Sequence, residues 1–68
     1  MNKENNNRRQ ETVKSIRKAF MELALSHDPE KITVSDICKK AEINRSTFYS
    51  IYFDTADLLD DIEKEMTA

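Results

Sequence analysis

Sixty-eight residues pass without one glycine, and only Pro29 is a proline. That excludes the architectures that need a residue at positive φ without cost. Two-residue β-hairpins, glycine-rich phosphate loops and dinucleotide-binding folds all depend on glycine at fixed places. What remains is helix, which the rest of the composition favours. Hydrophobic residues make up 38% of the chain and charged residues 35%, a ratio suited to amphipathic helices around one small core. A chain of this length makes one domain at most, and its core alone is marginal.

Apolar spacing places the helices. Val13, Ile16, Phe20, Leu23 and Ala24 recur at three and four, predicting a first helix near 8–26, with Lys14, Arg17 and Lys18 facing solvent. The polar, Asn-rich residues 1–7 read as a flexible tail. His27 is placed to cap the end of that helix, where the dipole favours a cation. Pro29 breaks the chain, and Ile32 returns to the core. Thr33 and Asp36 have the spacing of a capping box, opening a second helix near 34–41 whose inner positions are Val34, Ile37, Cys38 and Ala41. Glu42 and Ile43 make a turn, and Asn44 is the next N-cap position. A third helix near 45–52 turns Phe48 and Ile51 inward. Asp54 and Asp57 then start a fourth near 55–67, with Leu58, Leu59, Ile62 and Met66 inside. The expected fold is all-α: a small, homeodomain-like helical bundle with a core built on Phe20, Ile37, Phe48 and Leu58.

Residues 33–53 are the distinctive part. A short helix, a brief turn and a second helix rich in exposed donors at its start have the layout of a DNA-binding helix-turn-helix. Arg45 can offer two donors to guanine O6 and N7. Asn44, Thr47, Tyr49 and Tyr52 can donate to phosphate oxygens. Ser46 and Ser50 face outward beside them. The unpaired backbone N–H groups of the first turns, at Thr33, Val34 and Ser35 and again at the third helix, also suit phosphate. For Tyr52, burial in the core is an equal alternative.

The segment AEINRSTFYSIYF resembles the turn and recognition helix of the tetracycline-repressor (TetR) family of bacterial transcription regulators. TVSDICKKA is similar to that family's second helix and IRKAFMELA to its first, so the resemblance covers about residues 13–62. Its most specific piece is STFYSIY, with Thr47, an aromatic and Tyr49 in the family's order. Glu42 replaces the usual turn glycine, Asp54 follows Phe53 without the family's proline or asparagine, and Thr55 stands where lysine is frequent. The resemblance implies sequence-specific binding of a duplex operator half-site, with Thr55 among the contacts. It implies a transcription regulator, a repressor; the lone cysteine and the polar N-terminus fit a reduced, cytoplasmic setting. It further implies a larger C-terminal helical domain that binds a small ligand and forms the homodimer; these 68 residues do not cover it.

Charge is unevenly spread. The net charge is −2, but residues 1–45 carry ten Lys/Arg against seven Asp/Glu, a net +3, and residues 46–68 one Lys against six Asp/Glu, a net −5. One end can meet DNA and the other repels it. The single cysteine permits no internal disulfide and is read as a small core residue; no signal peptide or membrane-length apolar run is visible. One His, one Cys and no paired base give no nucleophilic constellation and no metal site, so neither an enzyme nor a cofactor is expected. The second reading is a helical protein-interaction module without DNA binding, with the acidic last helix as its surface.

Overall fold

A computed structural model describes the backbone of residues 3–67 and the side chains of residues 8–64. The described residues form helices joined by short turns, with no strand. In chain order they form α1 (Lys3–Ala24), a 3₁₀ turn (Pro29–Lys31), α2 (Val34–Ala41), α3 (Arg45–Tyr49) and α4 (Thr55–Thr67). This is the expected helix-turn-helix bundle.

The start of α2 follows from the sequence. Thr33 Oγ1 accepts from the Asp36 N–H at 3.1 Å, and Asp36 Oδ2 accepts from the Thr33 N–H at 3.1 Å, completing the capping box. The backbone bond from Thr33 lowers the Asp36 carboxyl below its ordinary range. Asp54 Oδ1 accepts from the Asp57 N–H, and Asp57 Oδ2 accepts from the Phe53 N–H, both at 2.9 Å, so α4 opens where expected. Asp28 Oδ1 accepts from the Glu30 N–H and starts the 3₁₀ turn with Pro29 at its first position. His27 Nδ1 lies 3.1 Å from the Leu23 carbonyl and 3.0 Å from Ser26 Oγ, and so sits over the end of α1 as a cap.

Three boundaries differ from those read in the sequence. Residues 3–7, expected as tail, belong to α1; with no Gly or Pro among them, extending a helix already nucleated adds one hydrogen bond per residue fixed. Met1 and Asn2 lie outside the described residues. α1 ends at Ala24 instead of Ser26, its last bonds tightening into a turn through Leu25 and Ser26. α3 ends at Tyr49 instead of residue 52. There Ser50 Oγ donates to the Thr47 carbonyl at 2.6 Å, and the Ile51 and Tyr52 N–H groups both converge on the Phe48 carbonyl. The last turn is closed by competing bonds and does not propagate.

The core joins all four helices. Ile16, Ala19 and Phe20 of α1, Ile32, Ile37 and Cys38, Phe48 and Tyr52, and Leu58 and Ile62 of α4 are buried. The four residues expected at its centre are all there. Val13, Leu23, Ala24, Val34, Ala41, Ile51 and Leu59 are half-buried at its edge; the Met66 side chain lies outside the described ones. Cys38 is buried, and its thiol, pushed up by that burial, donates to the Asn44 carbonyl at 3.8 Å.

The turn between α2 and α3 is strained. Glu42 has φ 60° and ψ 47°, in the left-handed region where a Cβ costs roughly 1–2 kcal/mol. Its N–H donates to the Cys38 carbonyl, and the Ile43 N–H reaches the same carbonyl, ending α2 as a glycine would. Replacing Glu42 by glycine should therefore raise stability by up to about 1 kcal/mol after glycine's greater unfolded-state entropy is subtracted. Thermal unfolding followed by circular dichroism measures this, and a lower midpoint would contradict it. Phe48→Ala should cost about 3–5 kcal/mol. A domain this small has only several kcal/mol in total, so the variant should have lost most of its helical signal at room temperature.

Candidate nucleic-acid interface

Two helix starts meet on one side of the domain. Ser35 is the second residue of α2 and Arg45 the first of α3. Arg45 Nη2 donates to Ser35 Oγ at 2.9 Å, tying the two ends together across the turn. Thr33, Ser35, Asn44, Arg45, Ser46, Tyr49 and Ser50 are exposed around this point; Val34 and Thr47 are half-buried. Thr33 and Asp36 consume each other's capping groups, which leaves the Val34 and Ser35 N–H groups without helical partners. Asn44 occupies the N-cap position of α3 in extended backbone but makes no side-chain capping bond. Its carbonyl accepts from the Thr47 and Phe48 N–H groups instead, so its amide side chain stays on the surface. Tyr49 is 54% exposed and stands edge-on to Phe48, ring centroids 5.5 Å apart at 86°. The buried Phe48 backs one side of the exposed ring.

Of the two roles read for Tyr52, the structure shows the core one. It is buried, and its hydroxyl donates to Asp61 Oδ2 at 2.6 Å. The same carboxylate oxygen accepts from Arg17 Nη2 at 2.7 Å. Tyr52 therefore serves the core and not a phosphate. Burial and the neighbouring carboxylate push its phenol up to about 12, so it remains a donor. Arg17, read from the sequence as part of a solvated basic face, is half-buried against α4. Thr55 lines a shallow hollow with Phe20, Pro29, Glu30, Ala56 and Leu59. No hydrogen bond among the described residues joins it to the Ser35–Arg45 pair.

Sequence reasoning picked out Ser35 and Arg45 but not their bond, and it missed the Arg17–Asp61–Tyr52 link altogether. Those partners lie 44 and 9 residues apart, and no local periodicity connects them. It also passed over Phe53, which is 81% exposed. Neighbouring aromatics cannot both point into the core here, and Tyr52 takes the inner place.

Comparison with known proteins agrees with the geometry. The chain is 43% identical over 49 residues to an HTH-type transcriptional regulator, YxbF, of Bacillus subtilis (strain 168). It is 44% identical over 48 residues to DhaS of Lactococcus lactis subsp. lactis (strain IL1403), an HTH-type transcriptional activator of the dhaKLM operon. Each match takes in 71% of this chain, but only 13% of the first relative and 26% of the second. No family model matches the chain, and no solved structure matches it significantly. The chain carries a helix-turn-helix domain similar to those of transcriptional regulators. Both relatives are transcription regulators by name, in keeping with the expectation that this domain is not an enzyme. None of the helices among the described residues is long and apolar enough to cross a membrane.

The Asp61 link has a pH signature. Arg17 first, and Tyr52 second, hold its carboxyl below the ordinary value of 3.8. A carboxyl lowered in the folded state stabilises above the unfolded value, and that stabilisation is lost as pH falls through the folded one. Asp61→Asn should therefore be less stable than the parent at neutral pH. The gap should stay constant down to about pH 5 and close as the solution becomes more acidic than the ordinary carboxyl value. Urea midpoints of the two proteins across that range test this; a gap that widens in acid would contradict it.

Proposed function

We propose that this domain binds duplex DNA with α3 in the major groove, as the reading head of a transcription regulator of the TetR type. The observation that carries the reading is Arg45, exposed at the first position of α3 and fastened to the start of α2 by Ser35. An arginine at that place can present a bidentate pair to guanine O6 and N7. Around it, the Val34 and Ser35 N–H groups and the exposed Thr33, Asn44, Ser46 and Tyr49 can meet phosphates, which set register without reading sequence. The TetR type is supported by the order of Thr47, Phe48 and Tyr49 in a helix that opens at Arg45. The relatives' names support regulation of transcription. One of them is an activator, so the direction of regulation is not built into this reading.

In a longer protein with a dimerising domain, two such heads would engage two half-sites of one operator. A single head should bind feebly, since joining two raises avidity by roughly 10²–10⁴. The acidic residues of α4 and the threonine at position 55 weaken it further.

The test is an NMR titration at low salt with a duplex selected by this domain from a randomised library. Amide shifts should centre on residues 33–35 and 44–50 and fade as salt is raised. Arg45→Ala should lose about 1–3 kcal/mol on the selected sequence and relax preference at one base pair. Tyr49→Phe should weaken all sequences about equally. Shifts confined to α4, or none with DNA, would move the assignment to a protein-interaction module.

A further inference from the structure

We propose that Ser35 is a positioning residue for Arg45: its hydroxyl oxygen orients the guanidinium in the free domain, and this orientation decides the sharpness with which one base pair is read. The proposal rests on the DNA-binding reading above and adds a specificity determinant outside the recognition helix. Arg45 is exposed and at the very start of a five-residue helix. An arginine so placed has a large rotamer freedom to lose before it can hold a bidentate pair. Its bond to Ser35 Oγ at 2.9 Å removes part of that freedom in advance.

The acceptor is firmly mounted. Ser35 lies within the turn fixed by the Thr33–Asp36 capping box, and two and three residues further on Ile37 and Cys38 are buried in the core. The guanidinium thus takes its bearing from α2, which the core holds, and not from the short helix that carries it. The charge of Arg45 is felt at the Cys38 thiol, where it partly offsets the upward push of burial. This agrees with a guanidinium lying back across the α2–α3 junction. One N–H bond goes to Ser35; the guanidinium has five N–H donors, so a bidentate pair remains for a base. Ser35 accepts here, and its own hydroxyl hydrogen is left to donate to a phosphate, so the same residue can join the backbone contact to the base contact.

Two measurements test this. In the DNA-free protein, ¹⁵N relaxation of the Arg45 Nε–H should show greater mobility in Ser35→Ala than in the parent, with Ser35→Thr, which keeps the oxygen, close to the parent. Equal mobility in all three overturns the proposal. Binding is then measured on the library-selected duplex and on its three substitutions at the base pair whose preference Arg45→Ala abolishes. Ser35→Ala should reduce discrimination at that pair by roughly 3–10-fold, as for loss of one hydrogen bond, and should have little further effect on discrimination in the Arg45→Ala background. Ser35→Thr should restore it. A uniform loss on all four duplexes, unchanged by removing Arg45, would mean that Ser35 only touches phosphate and would overturn the positioning role. If Arg45 is immobilised by Ser35 but the library yields no preferred duplex, the DNA reading itself fails while the contact stands.

Discussion

The burial of one ring, Phe48, is what makes α3 exist. A five-residue helix cannot hold itself in water, because nucleation alone consumes more freedom than so few hydrogen bonds return. The α3 helix has no side-chain cap at its start, and its Ser50 end is closed by a side chain that bonds back to the Thr47 carbonyl. Its order therefore comes from outside, from a phenylalanine with no exposed surface seated among residues of α1, α2 and α4. Arg45 precedes that ring by three residues and Tyr49 follows it by one, so the face that meets solvent is set by the side chain that does not. In the proposed reading, folding and recognition are two sides of one five-residue segment.

The parts of this arrangement that could be read from sequence are those whose causes are local. The Thr33–Asp36 box fixed the start of α2, the Asp54–Asp57 pair the start of α4, and the three-four spacing the central core residues. What could not be read depends on partners distant along the chain. Tyr52 could have been a surface hydroxyl or a core ring; the choice turns on Asp61, whose carboxylate makes it possible to bury a phenol without orphaning its donor. Arg17 belonged by periodicity to a solvated stripe, and only the approach of α4 turns it into an ion pair. Helix ends were misplaced where several bonds compete for the same carbonyl, as at Leu23 and Phe48. The αL backbone of Glu42 stands where the resemblance leads one to expect glycine, the residue that adopts this conformation most readily.

Charge is arranged with the same economy. The amino-terminal part is basic and the last helix acidic, and the two meet at Arg17 and Asp61. A second pair, Lys40 with Glu22 at 3.5 Å, links α2 to α1, but both partners are well exposed and such pairs contribute little. The Arg45 side of the domain is left with its cation and its hydroxyls facing outward.

A mechanical property follows from the place of Asp61. It is the middle residue of the thirteen in α4, a rod about 20 Å long at about 1.5 Å per residue. One of its oxygens is held by α1 through Arg17 and by Tyr52, three residues past the end of α3. Buried Leu58 and Ile62 flank it within a turn. Held at mid-span by those two partners and seated on the core through Leu58 and Ile62, α4 cannot shift without straining α1 and the Tyr52 segment together.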